Sequence, residues 1–314
     1  AEASAMQQRP SRVGRRRFIF LSYGPKGSDN SCLWRRSGAF VCRSALQFAG
    51  DSVLSRLFLI FVAYNVKFMG EVRAKKALGQ HFLVDLNIAR KICDSLSGGS
   101  AAGGPCTVLE VGCGMGVLTQ FLLRRSDIVI WGAEIDPESV AYLHAHYPEF
   151  APRLVAGDFL GMNLRERFPE GLKIIGNFPY NISSQIFFKV LENRDLVPEC
   201  VGMIQKEVAV RLAEPPGSKE YGILSVLLQA WYDIEYLFTV NETVFNPPPK
   251  VKSAVIRLRR NATERLGCDE TLFVKVVKAS FGQRRKMIRN SLKSVFGDFG
   301  GAEHPFFTRR AAQL

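Results

Sequence analysis

Four short apolar runs, each closing on glycine, asparagine or an acidic residue, alternate with segments of helical spacing, and this alternation leaves few folds open. Residues 107–111 form a run of the kind buried between two neighbouring strands. Glycines follow at 112, 114 and 116, then a helical segment through Leu118, Phe121 and Leu122. A second run, 128–133, closes on Glu134 and Asp136 and is followed by a helix from Pro137 to about His146. Leu154, Val155 and Ala156 lead to Gly157 and Asp158, and residues 173–176 lead to Asn177. Ahead of them Ile88, Ile92 and Leu96 sit at helical spacing, and the stretch 98–105 ends that helix. The pattern predicts an α/β fold with an open parallel sheet, whose ligand sits at the carboxyl ends of the strands. Every polar residue just named falls at such an end.

The turn Gly112-Cys113-Gly114-Met115-Gly116 has glycine at alternate positions, and Val117 stands where a dinucleotide fingerprint would carry its last glycine. Glycines let the backbone turn sharply and approach a ligand closely, although tight strand-to-helix packing asks for the same residues. Glu134, 22 positions after Gly112, ends the second strand, where a carboxylate accepts from two ribose hydroxyls. Asp136 reads as a solvated carboxylate at a helix start. Asp158 ends the third strand, where it can accept from the exocyclic amine of an adenine. The trio suits a nucleoside-bearing cofactor with no need for a pyrophosphate.

Asn177-Phe178-Pro179-Tyr180 is the most specific signal. An aryl amine such as N6 of adenine is a poor nucleophile, because its lone pair is delocalised into the ring. Two acceptors for its hydrogens orient it and localise that lone pair. The Asn177 side-chain oxygen and the Pro179 carbonyl suit the task, proline fixing the turn and offering only an acceptor. Tyr180 offers a face on which an extruded base can stack.

Charge distribution bears on the partner. The formal charge of +13 is unevenly spread. Residues 1–68 hold 11 Lys+Arg and 3 Asp+Glu, residues 69–260 hold 21 of each, and residues 261–314 hold 10 and 5. The basic footprint expected for RNA is the last segment, helped by Arg73, Lys75 and Lys76. Seven cysteines without a CxxC pair and four histidines without a Cys/His cluster argue against a metal site and for reduced thiols. No apolar run reaches the length of a membrane span. Residues 1–68 show no sustained period and contain Arg15-Arg16-Arg17. Two readings stand for them, an organellar transit segment or upstream sequence that is not a natural part of the protein.

Taken in order, these motifs resemble the S-adenosylmethionine-dependent rRNA adenine dimethyltransferases, most nearly the type that modifies the small ribosomal subunit (the KsgA type). The resemblance spans roughly residues 72–314. The segment 75–83 looks like the family's leading segment, which folds over the cofactor, and Gln80, His81 and Leu83 match positions that touch it. Residues 110–116, with Gly112, Gly114 and Gly116, resemble the methionine-binding loop. Glu134 matches the ribose-binding acid, Asp158 the adenine-binding acid, and Asn177 with Pro179 and Tyr180 the target-amine motif. Asn177 also borders the cofactor. Residues 245–253 resemble the FxPxPKVxS segment, whose aromatic residue, here Phe245, helps hold the flipped base. Phe178 stands where leucine is common in the family.

Residues 281–290 resemble the family's FxxRRK signature, and Arg284, Arg285, Lys286 and Arg289 are the expected RNA contacts. Arg285, Arg289 and Lys293 recur every four residues and would share one helix face. The chain ends at Leu314, where family members continue into a last short helix, so the lobe is expected to lack its final packing element.

The resemblance therefore implies a Rossmann-like class I methyltransferase sheet of seven strands with a small C-terminal helical domain. Residues 1–68 would be an extension, 69–260 the S-adenosylmethionine-binding domain and 261–314 an RNA-binding lobe. The implied activity is N6,N6-dimethylation of two adjacent adenosines in a 3′-terminal hairpin loop of small-subunit rRNA, within an immature subunit. It needs no metal, no membrane and no second copy of the chain. The implied location is the cytoplasm, or an organelle if residues 1–68 are a transit segment. Three alternatives stay open: a resistance-type large-subunit rRNA methyltransferase, a methyltransferase-fold RNA-binding or transcription factor, and a nicotinamide dehydrogenase.

Overall fold

The computed structural model describes residues 32–33, 41–42, 72–99 and 103–296. The readings made for the rest of residues 1–68 and for the chain end after residue 296 lie outside the described residues. The chain divides into two units, Ala1–Lys67 and Phe68–Leu314. In the first, Cys32–Leu33 (β1) and Val41–Cys42 (β2) pair antiparallel, Cys32 opposite Cys42.

The second unit opens with Phe82–Leu83 (β3) and the helix Leu86–Asp94 (α1). Asp85 caps α1, accepting from the Asn87 and Ile88 backbone N–H groups at 2.8 and 3.1 Å. Cys106–Val111 (β4), Thr119–Leu122 (α2), Ile128–Glu134 (β5), Pro137–His146 (α3), Leu154–Ala156 (β6), Leu164–Arg167 (α4) and Lys173–Asn177 (β7) follow. Ser183–Glu192 (α5), Glu199–Gln205 (β8), Lys206–Ala213 (α6), Ile223–Gln229 (α7), Tyr232–Val240 (β9), Phe245–Asn246 (β10) and Ser253–Arg260 (β11) continue the series. Glu270–Gly282 (α8), Ile288–Ser291 (α9) and Lys293–Phe296 (α10) complete it.

Seven strands form one sheet in the order β6-β5-β4-β7-β8-β11-β9. Pairing is parallel from β6 to β8, and antiparallel where β11 meets β8 and β9. The sheet is thus parallel across five of its seven strands, the four that the alternating runs indicated and β8. Its class, a Rossmann-like α/β sheet with helices, is the one expected. The chain runs outward from β4 through β5 to β6 on one side and from β7 to β8 on the other, with β11 inserted between β8 and the edge strand β9. The order therefore reverses between β4 and β7, the position at which such sheets open a cleft.

Two apolar layers bury the faces. One holds Ile92, Leu122, Leu143 and Phe150, and the other Phe187, Ile204, Leu228 and Trp231. Phe178 is fixed within the second. Its ring lies over two glycines on adjacent strands, Gly176 of β7 and Gly202 of β8, and meets Phe187 edge-on at 5.8 Å. At the amino ends of the same strands, Lys173 and Glu199 form a buried pair at 3.4 Å. Lys173 also donates to the Ser97 carbonyl at 2.9 Å, and Glu199 accepts from the Ser97 backbone N–H and hydroxyl. This cluster ties the connection after α1 to the bottom of the sheet.

Helix α8 joins the second layer through Val277 and Phe273. Asp269 caps α8 through the Leu272 N–H at 2.6 Å, and Phe273 packs edge-on against Trp231 at 6.1 Å. The helix stops at Gly282, and Met287 is extended at φ −60° and ψ 139°. Arg285 consequently lies in a turn, Arg289 in α9 and Lys293 in α10, so the three do not share one helix face. Four-residue spacing places side chains together only while a helix is continuous.

A Cβ at Gly202 would stand 2.5 Å from the Phe178 ring, closer than packed atoms allow. Gly202→Ala is expected to lower unfolding free energy by about 1–3 kcal/mol in urea titration. Adding Phe178→Leu should recover part of that loss. Strictly additive losses would show that the two residues do not compete for space.

Candidate active site

The cleft at the carboxyl ends of β4, β5 and β7 is lined by segments 78–83, 110–115, 133–135, 157–160 and 177–182, with Val117 and Leu118. Its floor is the glycine turn. Gly112, Gly114 and Gly116 have φ of +75°, +54° and +78°, a left-handed conformation that side chains resist. Gly114 donates its backbone N–H to Glu134 Oε2 at 2.7 Å. Gly116 does not line the cleft. It faces Tyr147, whose ring a Cβ would meet at 2.5 Å, so packing accounts for it.

Glu134 is buried at the end of β5, and its second oxygen accepts from the Asp136 N–H at 2.8 Å. Burial pushes its carboxyl above the ordinary range. Glu110, fully enclosed beneath the turn, accepts from the Thr119 hydroxyl at 2.6 Å. Burial raises it to about 8, against the lowering effect of that hydrogen bond. Neither carboxyl has a cationic partner among the described residues. Asp158 is exposed at the cleft edge and caps the next turn through the Leu160 N–H at 2.9 Å.

Asp136 corrects a sequence expectation. It does start helix α3, accepting from the Glu138 N–H at 3.2 Å, but it is buried rather than solvated. Lys75 Nζ donates to one of its oxygens, and Gln80 Nε2 to the other at 3.2 Å. Burial pushes Asp136 up, yet these donors together outweigh that and hold it below the ordinary carboxylate range. Lys75, also 3.1 Å from Glu138, is therefore committed within the protein rather than free to meet RNA. The signal was faint. An Asp-Pro-Glu helix start is legible in sequence, but a cation arriving from 61 residues earlier is not.

Residues 75–83 form a strap along the cleft. Gln80 accepts from the Lys75 N–H at 2.8 Å, and Gly79 turns at φ +65° beside Asn181. His81 donates from Nδ1 to the Pro247 carbonyl at 2.8 Å. Leu83 is buried in the cleft wall, and β3 pairs antiparallel with β10, Leu83 opposite Phe245. That pairing accounts for Phe245. It is buried in the core beside Leu83 and does not line the cleft, so it has no face to offer a base there.

Asn177 donates from Nδ2 to the His81 carbonyl at 2.9 Å, which turns Oδ1 away from the strap. Among the described residues nothing donates to that oxygen. The Pro179 carbonyl accepts from the Ile182 N–H at 3.2 Å and keeps a second lone pair. Tyr180, in the cleft wall, shares a hydrogen bond with Ser253 and lies 5.4 Å from the His81 ring. Ser253 closes the FxPxPKVxS segment, but its role as the partner of Tyr180 was not legible there, and the His81 carbonyl is a backbone support that no residue type reveals.

The basic residues lie elsewhere. Arg284, Arg285 and Lys286 are exposed and do not line the cleft. Arg284 donates to the Lys219 carbonyl at 3.0 Å and stacks over Phe281 at 5.5 Å. Arg289 belongs to α9. Among the described residues no group of three His, Cys, Asp or Glu side chains is set to hold a metal ion, and no helix is long and apolar enough to cross a membrane.

Comparison with known proteins adds relatives to this geometry. The family described as ribosomal RNA adenine dimethylase matches residues 71–304. A protein of Parabacteroides distasonis named ribosomal RNA small subunit methyltransferase A is 58% identical over 245 residues, covering 77% of this chain and 90% of its own length. The Porphyromonas gingivalis protein of the same name is 56% identical over 250 residues, covering 78% and 95%. Among solved structures, a dimethyladenosine transferase from Plasmodium falciparum aligns with a TM-score of 0.58 at 28% identity, over 68% of this chain and 75% of that one. The 23S rRNA methyltransferase ErmE aligns with a TM-score of 0.54 at 28% identity, over 67% and 83%.

The buried carboxyl beneath the turn has a consequence for stability. A Glu110 that stays protonated to about pH 8 when folded, but ionises near 4.5 when unfolded, leaves the native state holding the extra proton between those values. Unfolding free energy should therefore fall as pH rises from about 4.5 to about 8, with a limiting slope of about 1.4 kcal/mol per pH unit for one proton. Glu110→Gln should flatten that dependence in denaturant titrations across the interval. An unchanged slope would place the titration on other groups.

Proposed function

Because the chain belongs to the ribosomal RNA adenine dimethylase family, we propose that it transfers methyl groups from S-adenosylmethionine to N6 of adenosine in small-subunit rRNA. Two adjacent adenosines of a 3′-terminal hairpin loop, presented in an immature small subunit, are the substrates. The observation that carries this reading is the Asn177 amide, with its nitrogen committed to the His81 carbonyl and its oxygen open beside the Pro179 carbonyl.

The cleft fits the cofactor on its own terms. The glycine turn removes side chains from the floor, Phe82 and Leu83 supply an apolar wall, and carboxyls stand at two neighbouring strand ends. Each Glu134 oxygen takes one backbone N–H and keeps a lone pair for a ribose hydroxyl. Asp158, at the cleft edge, accepts from the adenine amine in this reading, and Gln80, His81 and Leu83 of the strap line the same cleft. S-adenosylmethionine, when bound, supplies an electrophilic methyl group on a cationic sulfur.

This chain's own part is positioning. Asn177 Oδ1 and the Pro179 carbonyl accept the two hydrogens of the target amine, which turns its lone pair out of conjugation and aims it into the cleft. Both oxygens hold those hydrogens while nitrogen gains positive charge, until the surplus proton leaves to water. Tyr180, fixed by Ser253, gives the flipped base a flat support. Repetition requires that the same pair of acceptors admit an amine already carrying one methyl group. Arg284, Arg285, Lys286 and Arg289 contact RNA phosphates away from the cleft.

Two experiments test the reading. Incubation with labelled S-adenosylmethionine and undermethylated small or large subunits should label small-subunit adenosines. Transfer to the large subunit alone would favour the resistance-type enzyme, and tight RNA binding without transfer would favour a binding factor. Asn177→Ala should lower transfer by about 10²-fold or more with cofactor binding largely kept. Equal loss of both would remove Asn177 from the chemistry. Separately, neutralising Arg285 and Arg289 together should weaken RNA binding and reduce its logarithmic salt slope by about 1.4 to 1.8. An unchanged slope would make them solvent-facing charges only.

A further inference from the structure

We propose that Asp136 is the anchor of the strap 75–83, and that through the strap it fixes which end of the Asn177 amide faces the target amine. The inference rests on the role of Asn177 proposed above. Asp136 is then a positioning residue, touching neither the cofactor nor the base.

Four donors converge on this one buried carboxylate. Lys75 Nζ and Gln80 Nε2 arrive from the strap, and the Glu138 N–H and Ser139 hydroxyl from helix α3. Its side chain has no solvent exposure, so both strap donors replace water that burial has removed. Gln80 closes the loop on itself by accepting from the Lys75 N–H at 2.8 Å. The next residue along the chain, His81, receives the Asn177 amide on its carbonyl. One anchored side chain and one catalytic contact therefore sit on consecutive residues, leaving no length of chain to absorb slack between them.

That proximity matters because a carboxamide has two ends of nearly the same shape and opposite hydrogen-bonding sense. Asn177 is half-buried at the end of β7, and the strap carbonyl is the one described partner that tells its ends apart. With the strap seated, Nδ2 points to His81 and Oδ1 to the substrate side. With the strap lifted, rotation of the amide by half a turn costs nothing at that contact. It would then set donors against the donors of the target amine.

Asp136→Asn preserves the size of the side chain and one acceptor for the helix cap while removing the charge that Lys75 and Gln80 converge on. Lys75→Met, on a partly exposed residue, removes the partner instead and guards against a folding defect in the first variant. In each, measured without cofactor or RNA, hydrogen exchange at the Gly79 and Gln80 amides should quicken about tenfold. The Asn177 side-chain amide protons, assigned by their disappearance in Asn177→Ala, should lose protection in parallel. The Val140 amide inside α3 should not change. In turnover assays Asp136→Asn should lower kcat as well as raise KM for S-adenosylmethionine. Unaltered strap exchange in both variants, or a loosened strap with the Asn177 protons still protected, would overturn the proposal. Inactivity of the unsubstituted chain towards both subunits would instead sink the functional reading, and the exchange measurements would still decide the strap.

Discussion

The cleft depends on the hydrogen bond that the Gly114 N–H donates to Glu134. It joins the turn after β4 to the end of β5, and so converts two parallel strand ends into one continuous floor. Glycine is needed there because the backbone is left-handed, and Glu134 supplies the acceptor for its half-buried N–H. The second oxygen of Glu134 takes the Asp136 N–H, and Asp136 takes the strap. From a single carboxylate the order passes through the turn, the helix start and the strap to the amide of Asn177.

The substrate side is supported from beneath by packing rather than by hydrogen bonds alone. Phe178 sits between Asn177 and Pro179 with its ring in the cup made by Gly176 and Gly202. The two acceptors flanking it are therefore held at a spacing set by the hydrophobic core. Leucine would fill that cup less completely, and the larger ring accounts for the demand that both neighbouring strands carry glycine at that level.

Much of this was legible in the sequence, for a physical reason. In a parallel sheet the residue that ends an apolar run lies at the rim, so Glu134, Asp158 and Asn177 could be placed without knowing the strand order. Gly112 and Gly114 were legible as a floor, whereas Gly116 serves Tyr147. What failed were inferences that needed a tertiary partner. Asp136 read as solvated because Lys75 and Gln80 reach it from a distant segment. Phe245 read as a base contact, yet strand pairing with Leu83 draws it into the core. The stripe of Arg285, Arg289 and Lys293 assumed a helix that the chain ends at Gly282. Local spacing predicted local geometry and could not report who covers whom.

The two rims of the sheet differ in a further respect. At the amino ends Glu199 is already matched by Lys173 at 3.4 Å, with Arg259 at 3.6 Å. At the carboxyl ends Glu110 and Glu134 are buried with no cationic partner among the described residues, and burial pushes both above the ordinary carboxyl range. A positive charge settling on that rim would act on both in the opposite direction to burial, favouring the ionised form. The sheet thus keeps its paired carboxylate at one rim and its unpaired carboxyls at the other, where the cleft opens.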